Sequence, residues 1–430
     1  MKVVISIFIL FLLNSAFAQS WNLDKCLKEA LENSYDIKSQ NINSSIATEN
    51  LKTAKFNFLP TLNGGATHGY NWGQTIDPFT NQFATNQVQT NSFYLASSLV
   101  LFNGLQNRYN LKIKQFDLET EQLTSAIKIR TIKINTATAY FQVLLNNEIL
   151  EIAKQQLQLT HQEKINVEAL IEQGNEVEWK LDEIKTQIMS DEFLMLQAQN
   201  DLNYSLLMLQ HSMAKTYDSS FNVLKVDSSI TETNNGLTEI NRLPEIELLQ
   251  IKLDKKEIEL KASKSKVLPS LQINGSMGTG YSGNNKEFDT NGALTVKPFR
   301  NQTTENFYQS VSLNLSIPIF NKLSTNQEVK LQELNLAQQK LDQNQEKMQL
   351  FQKIEKLQLD ISAGKSQIKL QKSLLNLTEK KTSNYALQYK LGVITRNEVQ
   401  IQKNELFEMQ SKLIQAKYKL YLNQFVLSLY

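Results

Sequence analysis

One half of this chain restates the other, and a duplication of this length constrains the architecture before any single residue does. Leu59-Pro60-Thr61-Leu62 returns 209 residues later as Leu268-Pro269-Ser270-Leu271. Tyr35-Asp36-Ile37 aligns with Pro244-Glu245-Ile246 at the same shift of 209. Leu101-Phe102-Asn103 returns as Ile319-Phe320-Asn321, and Gly174 as Gly392, both at a shift of 218. Nine additional residues therefore enter the second copy between Pro269 and Phe320.

Long helices dominate both copies. Between Gly104 and Gly174 there is neither proline nor glycine. Leu123, Ile127, Ile134, Phe141, Leu145 and Ile152 recur there at gaps of 4, 7, 7, 4 and 7, a coiled-coil-like seam. A continuous helix over this stretch reaches roughly 105 Å. In the second copy Leu334, Leu341 and Met348 keep the seven-residue step, and Leu350, Ile354, Leu357 and Ile361 continue the stripe, with Gly364 as the one weak point. Gly174 and Gly392 end these helices, since glycine adopts the left-handed conformation that terminates a helix. Second helices follow at roughly 176–213 and 394–428. Helical pattern also covers about 23–58 and 244–267, ahead of each Leu-Pro pair.

After each proline the periodicity becomes two. Leu62, Gly64, Ala66, His68, Tyr70 and Trp72 alternate with Asn63, Thr67 and Asn71. Phe93, Leu95, Leu99 and Leu101 share one face. Leu271, Ile273, Met277 and Tyr281 oppose Gln272, Asn274 and Ser276. Val311, Leu313, Leu315, Ile317 and Ile319 oppose Ser310, Ser312, Asn314 and Ser316. Strands of about ten residues with one apolar and one polar face suit a tilted barrel wall in an outer membrane. Tyr70, Trp72, Phe93, Tyr94, Tyr281, Phe307 and Tyr308 cluster at the loop ends and read as an interfacial aromatic girdle. The intervening loops, about 73–91 and 282–306, are long and polar, as on a cell exterior.

Lys2, the apolar run Val3 to Leu13 and Ala16-Phe17-Ala18 read as a signal peptide covering residues 1–18. Downstream, no apolar run reaches transmembrane-helix length, so a membrane role requires a closed β-barrel. The single cysteine, Cys26, excludes an intrachain disulfide, and Leu23-Asp24-Lys25 lacks the small apolar residues that precede a lipidated cysteine. The formal net charge of +2, or +1 without Lys2, argues against a nucleic-acid partner. Two strand pairs cannot close a water-filled barrel alone. Three protomers supply twelve strands, and their helices continue the barrel as a hollow helical tube. The expected organisation is a first repeat at 19–213 with a β-hairpin at about 61–102 and a helical tip at 174. A joining segment at 214–241 follows. The second repeat occupies 242–430, with a β-hairpin at about 270–319 and a tip at 392.

Strand pairs set inside duplicated long helices behind a signal peptide resemble the TolC family of outer-membrane efflux proteins (outer membrane factors). The marks are Leu-Pro at each helix-to-strand junction, Phe102-Asn103-Gly104 and Pro318-Ile319-Phe320-Asn321 at each strand-to-helix junction, Tyr389-Lys390-Leu391-Gly392 at the second tip, and the C-terminal run Ala416 to Gln424. The resemblance implies a mainly helical, trimeric channel-tunnel with a twelve-stranded barrel and a long helical barrel. It further implies a passive exit duct of a tripartite efflux or type I secretion system in a Gram-negative outer membrane. The implied partners are a periplasmic adaptor (membrane fusion protein), an inner-membrane pump or ABC transporter, and outer-membrane lipid. By alignment on the tip glycine, Tyr389 matches a family gate tyrosine and Glu398 an acidic-ring position. The family arginine two residues past the glycine is replaced by Ile394, with Arg396 two further on, and a second ring acid is replaced by Ile401. A periplasmic gate of Tyr389, Glu398 and Arg396 is expected, with Gly174, Asn175, Leu391, Gly392 and Val393 as adaptor-contacting tips.

His68, His161 and His211 show no metal-ligand spacing, and there is neither a phosphate-binding glycine loop nor a nucleophile elbow. The reading is no catalysis, no cofactor and no metal. The competing reading is a periplasmic coiled-coil adaptor or structural protein, disfavoured by the clean alternation at 270–281 and 307–319.

Overall fold

The computed structural model describes residues 21–84, 87–225 and 242–430. The signal peptide assigned to 1–18, and residues 226–241 of the joining segment, lie outside the described residues. The chain divides into two compact units: one holds the described residues up to Ile42 with Leu123–Glu247 and Gln345–Tyr430, the other Asn43–Gln122 with Leu248–Asn344.

The first helical stretch is two helices, α1 (Leu23–Asn33) and α2 (Tyr35–Phe56), where the sequence suggested one. Ser34 breaks them: its backbone is extended, with ψ of 122°, and its hydroxyl accepts from the Ile37 N–H. The two longest helices, α3 (Gln106–Glu172) and α7 (Ser324–Lys390), have 67 residues each, about 100 Å of axis. The weak point expected at Gly364 does not interrupt α7. Leu420 packs beside it, its Cδ1 3.5 Å from where a Cβ would sit, an ordinary van der Waals distance. The returning helices are α4 (Trp179–Ser212) and α8 (Arg396–Ser428), and α5 (Pro244–Lys264) opens the second copy.

The helical unit has its core where α1, α3, α4 and α8 meet. Tyr140, Phe141, Leu144 and Leu150 pack with Leu202, Leu206, Leu209, Met213, Ile414 and Tyr418. Leu209 is fully buried, so truncating it to alanine costs on the order of 2–5 kcal/mol. Two tyrosine hydroxyls of this core find partners: Tyr140 donates to the Leu224 carbonyl at 2.7 Å and Tyr418 to Glu148 at 2.8 Å. Trp21 closes the end of the core by a parallel bridge to Val223. Cys26 is fully buried there, and burial pushes its thiol pKa up to about 12.

The second unit carries one four-stranded antiparallel sheet in the order β1 (Thr61–Asn71), β4 (Val88–Asn103), β5 (Ser270–Ser282), β8 (Tyr308–Ser316). The two copies thus join through the β4–β5 pairing. Two sequence expectations change here. The fourth strand stops at Ser316 rather than running through Ile319, because Pro318 has no N–H to give to a ladder. A bulge between Val100 and Phe102 sets Phe102, not Leu101, opposite Leu271, which a simple two-residue period cannot anticipate.

Both strand-to-helix junctions use the same left-handed turn, at Gly104-Leu105 (φ 62° and 66°) and at Lys322-Leu323 (φ 58° and 60°). In the first copy glycine is required by space as well: a Cβ on Gly104 would lie 2.6 Å from the Ser265 carbonyl oxygen. The asparagine before each turn bonds into the following helix. Asn103 accepts from the Asn107 N–H, and the Asn321 amide donates to the Thr325 hydroxyl.

The loops are more ordered than their polar composition suggested. A short hairpin, β2 (Thr75–Ile76) with β3 (Phe83–Ala84), lies between β1 and β4. Between β5 and β8 come the hairpin β6 (Lys286–Phe288) with β7 (Leu294–Val296) and a short helix, α6 (Phe299–Glu305).

Candidate functional site

Register decides what each face of the sheet presents, because residues directly opposite on antiparallel strands point the same way. One row runs Leu62, Ser97, Gly275, Val311; the next runs Gly64, Leu95, Met277, Gln309. Ile273 pairs with both Leu99 and Leu313, and Leu271 with Leu315, so this face is predominantly apolar. It is also open: Leu62, Val311, Leu313 and Leu315 are 74%, 77%, 64% and 62% exposed. The opposite face is small and polar, with rows such as Ser98, Asn274, Ser312 and Ala96, Ser276, Ser310. None of the four strands contains Asp, Glu, Lys or Arg.

The seven aromatic residues expected to form one girdle divide between the faces. Tyr70, Phe93 and Tyr281 occupy the apolar face by register. Along β1, the His68 ring packs edge-on against Tyr70, and Tyr70 stacks on Trp72 just past the strand end. Phe307, in the turn before β8, is exposed. Tyr94 and Tyr308 do not belong with these. They follow Phe93 and Phe307 directly, and strand alternation turns them to the polar face. There they form the row Gly65, Tyr94, Gly278, Tyr308, an alternation of glycine and tyrosine. Each ring lies over its glycine neighbour: a Cβ on Gly65 would sit 2.6 Å from the Tyr94 ring, and one on Gly278 2.9 Å from that of Tyr308. Tyrosine covering a strand glycine restores packing that glycine cannot provide.

The two loops grip the sheet end differently. From α6, Phe299 packs against Phe93 and Tyr281 on the apolar face. The fully buried Gln302 imitates a strand at the β5 edge beyond β8: its amide donates to the Ser282 carbonyl at 3.0 Å and accepts the Ser282 N–H at 2.9 Å. The β1–β4 loop lies on the other side. Asp77, almost wholly buried, accepts the Ser282 hydroxyl and the Phe79 N–H. Phe79 occupies the space a side chain at Gly280 would fill. Ser282 and Gly280 pair with Thr90 and Ser92, on the polar face.

At the helical tips the two copies end alike. The Gly174 N–H bonds to the Ile171 carbonyl and the Asn175 N–H to that of Leu170. The Gly392 N–H bonds to Tyr389 and the Val393 N–H to Gln388. Both glycines have positive φ, 70° and 74°, so each tip is a Schellman-type helix end. Asn175, Leu391 and Val393 are exposed. Tyr389 is half-buried, with the Lys180 ammonium 6.0 Å from its ring centre. Arg396 bridges to Glu163 at 3.5 Å, and Lys403 bonds the same carboxylate at 3.0 Å, tying the start of α8 to α3. Nη1 of Arg396 is buried without a hydrogen-bond partner among the described residues.

Glu398 closes a capping box with Thr395: its carboxylate accepts the Thr395 N–H and hydroxyl, while the Thr395 hydroxyl accepts the Glu398 N–H. These bonds, the backbone one first, hold the Glu398 pKa below the ordinary carboxylate value. The Thr-x-x-Glu spacing carries this signal in sequence. Glu163 and Lys403, 240 residues apart, have no such local signature. The structure therefore brings Arg396 together with Glu163 and leaves Glu398 engaged with its own helix. Among the described residues no group of three or more His, Cys, Asp or Glu is placed to hold a metal.

The family model for outer membrane efflux proteins matches the chain twice, over residues 26–215 and 239–429. Outer membrane protein TolC of Escherichia coli strain K12 is 22% identical over 420 residues, which is 95% of this chain and 82% of that protein. Among solved structures, the transmembrane channel CusC superposes with a TM-score of 0.82 at 17% identity, covering 94% of this chain and 90% of CusC. The outer membrane protein VceC of Vibrio cholerae gives 0.79 at 14% identity, covering 95% of each chain. The open-state outer membrane channel MtrE of Neisseria gonorrhoeae gives 0.75 at 14%, covering 95% of this chain and 88% of MtrE. The fold is thus that of the outer-membrane channels, and the double family match, falling once on each half of the duplication, makes this chain a member of the outer membrane efflux protein family, the TolC family.

Proposed function

We propose that three copies of the chain close a twelve-stranded barrel in the outer membrane and serve as the passive exit duct of a tripartite efflux or type I secretion system. The observation that carries this reading is the sheet itself. It has four strands, one face apolar and exposed, one face polar, and outer edges on β1 and β8 that pair with no other strand among the described residues. Backbone groups in lipid must be satisfied, so those edges call for neighbouring copies. The apolar face then meets lipid and the Ser/Asn face lines the lumen. The seven-residue stripe of α7 supports the same assembly: Leu334, Leu341 and Met348 are 58%, 64% and 59% exposed in a single copy.

In this reading the exposed tip residues Gly174, Asn175, Leu391, Gly392 and Val393 meet a periplasmic adaptor, which links the duct to an inner-membrane pump or ABC transporter. Tyr389, Arg396 and Glu398 stand at the periplasmic gate, with Glu163 and Lys403 completing an ionic latch on Arg396. Tyr70, Trp72, Phe93, Tyr281 and Phe307 sit at the membrane interface. The duct carries out no chemical step; the energised partner selects and drives the cargo.

Negative-stain imaging of the detergent-purified chain from residue 19 onward tests this. Elongated particles with three-fold end views are expected. Compact monomers, or thin rods released from cells by osmotic shock, would favour the adaptor reading.

A further inference from the structure

Which loop can narrow the barrel mouth depends on which face of the sheet it lies on. The β5–β8 loop sends Phe299 to the apolar face, where it packs on Phe93 and Tyr281. The β1–β4 loop does the opposite. Asp77 and Phe79 are fixed on the polar face, at Ser282 and Gly280. Asp77 is a buried carboxylate held by several donors: the Ser282 hydroxyl and the N–H groups of Phe79 and Thr80. Its own N–H bonds to the Gln82 carbonyl at 3.0 Å, closing the turn over the clasp. A buried carboxylate persists only where it is multiply hydrogen-bonded, so this contact fixes the loop rather than grazing it. Gly280 completes the seat, because any side chain there would take the place of the Phe79 ring.

We propose that residues 73–83 form a strap clasped inward by Asp77 and Phe79, and that three such straps set the size limit of the duct's outer mouth. The inference rests on the duct reading, in which the polar face is the lumen. The strap exposes Ile76 and Phe83, a cross-strand pair 55% and 74% exposed, beside the polar Gln74, Asn81 and Gln82. The mouth would therefore admit small solutes freely and slow bulky ones by exclusion.

A reporter thiol on the polar face below the strap tests both levels. In intact cells expressing the full chain, Ser312→Cys is treated from outside with a small methanethiosulfonate and with a bulky polyethylene-glycol maleimide. The native Cys26 is buried and contributes no background. With the strap intact, the small reagent labels position 312 and the bulky one lags. Adding Asp77→Ala or Gly280→Val should raise the bulky rate severalfold and leave the small one unchanged. An unchanged bulky rate in a variant that still forms heat-resistant oligomers overturns the strap. Asp77→Ala leaves the sheet untouched and serves if Gly280→Val does not fold. If neither reagent labels Ser312→Cys while a thiol at Leu313, on the opposite face, reacts, the lumen assignment itself is wrong and the inference falls with it.

Discussion

Ser312 and Leu313 are neighbours in β8, yet their pairing with Asn274 and Ile273 puts them on opposite faces of the sheet. A charge therefore has opposite consequences at the two positions. Leu313→Arg, on the lipid side, should cost roughly 2–4 kcal/mol if it lies near mid-bilayer, whereas Ser312→Arg should be mild. Denaturant titration of the oligomer in detergent or vesicles reads the difference, and equal tolerance would refute the assigned faces. A second residue-scale prediction concerns pH. The capped carboxylate of Glu398 has a lowered pKa, so its contribution to the α8 terminus is complete above the ordinary value of 4.5 and is lost as pH falls through the lowered one. The melting difference between wild type and Glu398→Ala should be present at neutral pH and close under acid. A difference that persists in acid would mean the cap does not act through ionisation.

Among the elements, α6 shows how side chains can finish a sheet. Gln302 offers β5 both a donor and an acceptor where β8 has already ended. Gln302→Ala leaves two Ser282 backbone groups without these partners and should destabilise the barrel by about 1–3 kcal/mol, seen as a lower dissociation temperature of the oligomer. Gln302→Glu should rescue only in part, since it keeps the acceptor and loses the donor. Nothing in Phe299-Arg300-Asn301-Gln302 announces this role, because it depends on where a strand 20 residues upstream runs out of partner. What was legible in the sequence shares a common physics. The long helices, the alternating strands and the terminal glycines are local patterns, each repeated in the second copy. What the sequence does not display is non-local or finer than a period: the bulge beside Leu101, the clasp from Asp77 to Ser282, and the Glu163 bridge to Arg396. Two further features are local in the sequence. Adjacent aromatics such as Phe93-Tyr94 cannot share a face, and Thr395-x-x-Glu398 is a helix-start signature.

At the scale of the whole molecule, the cluster of Arg396, Lys403 and Glu163 is a candidate restraint on tip opening, because one carboxylate on α3 holds two cations of α8. Removing the carboxylate leaves those cations facing each other, which is worse than losing a neutral contact. Glu163→Ala should therefore give channels that open more often in planar bilayers than wild type, and the effect should shrink at high salt as the repulsion is screened. Openings unchanged from wild type would remove the latch from the gate. The duplicated plan also divides the labour of transport between sheet and helices. A wall of serine, asparagine, glycine and tyrosine, with no Asp, Glu, Lys or Arg on any of its four strands, sets up no strong fixed potential of its own. Such a wall treats anions and cations alike. Any preference for the sign of a cargo must then arise from the charged helices and loops rather than from the sheet that crosses the membrane.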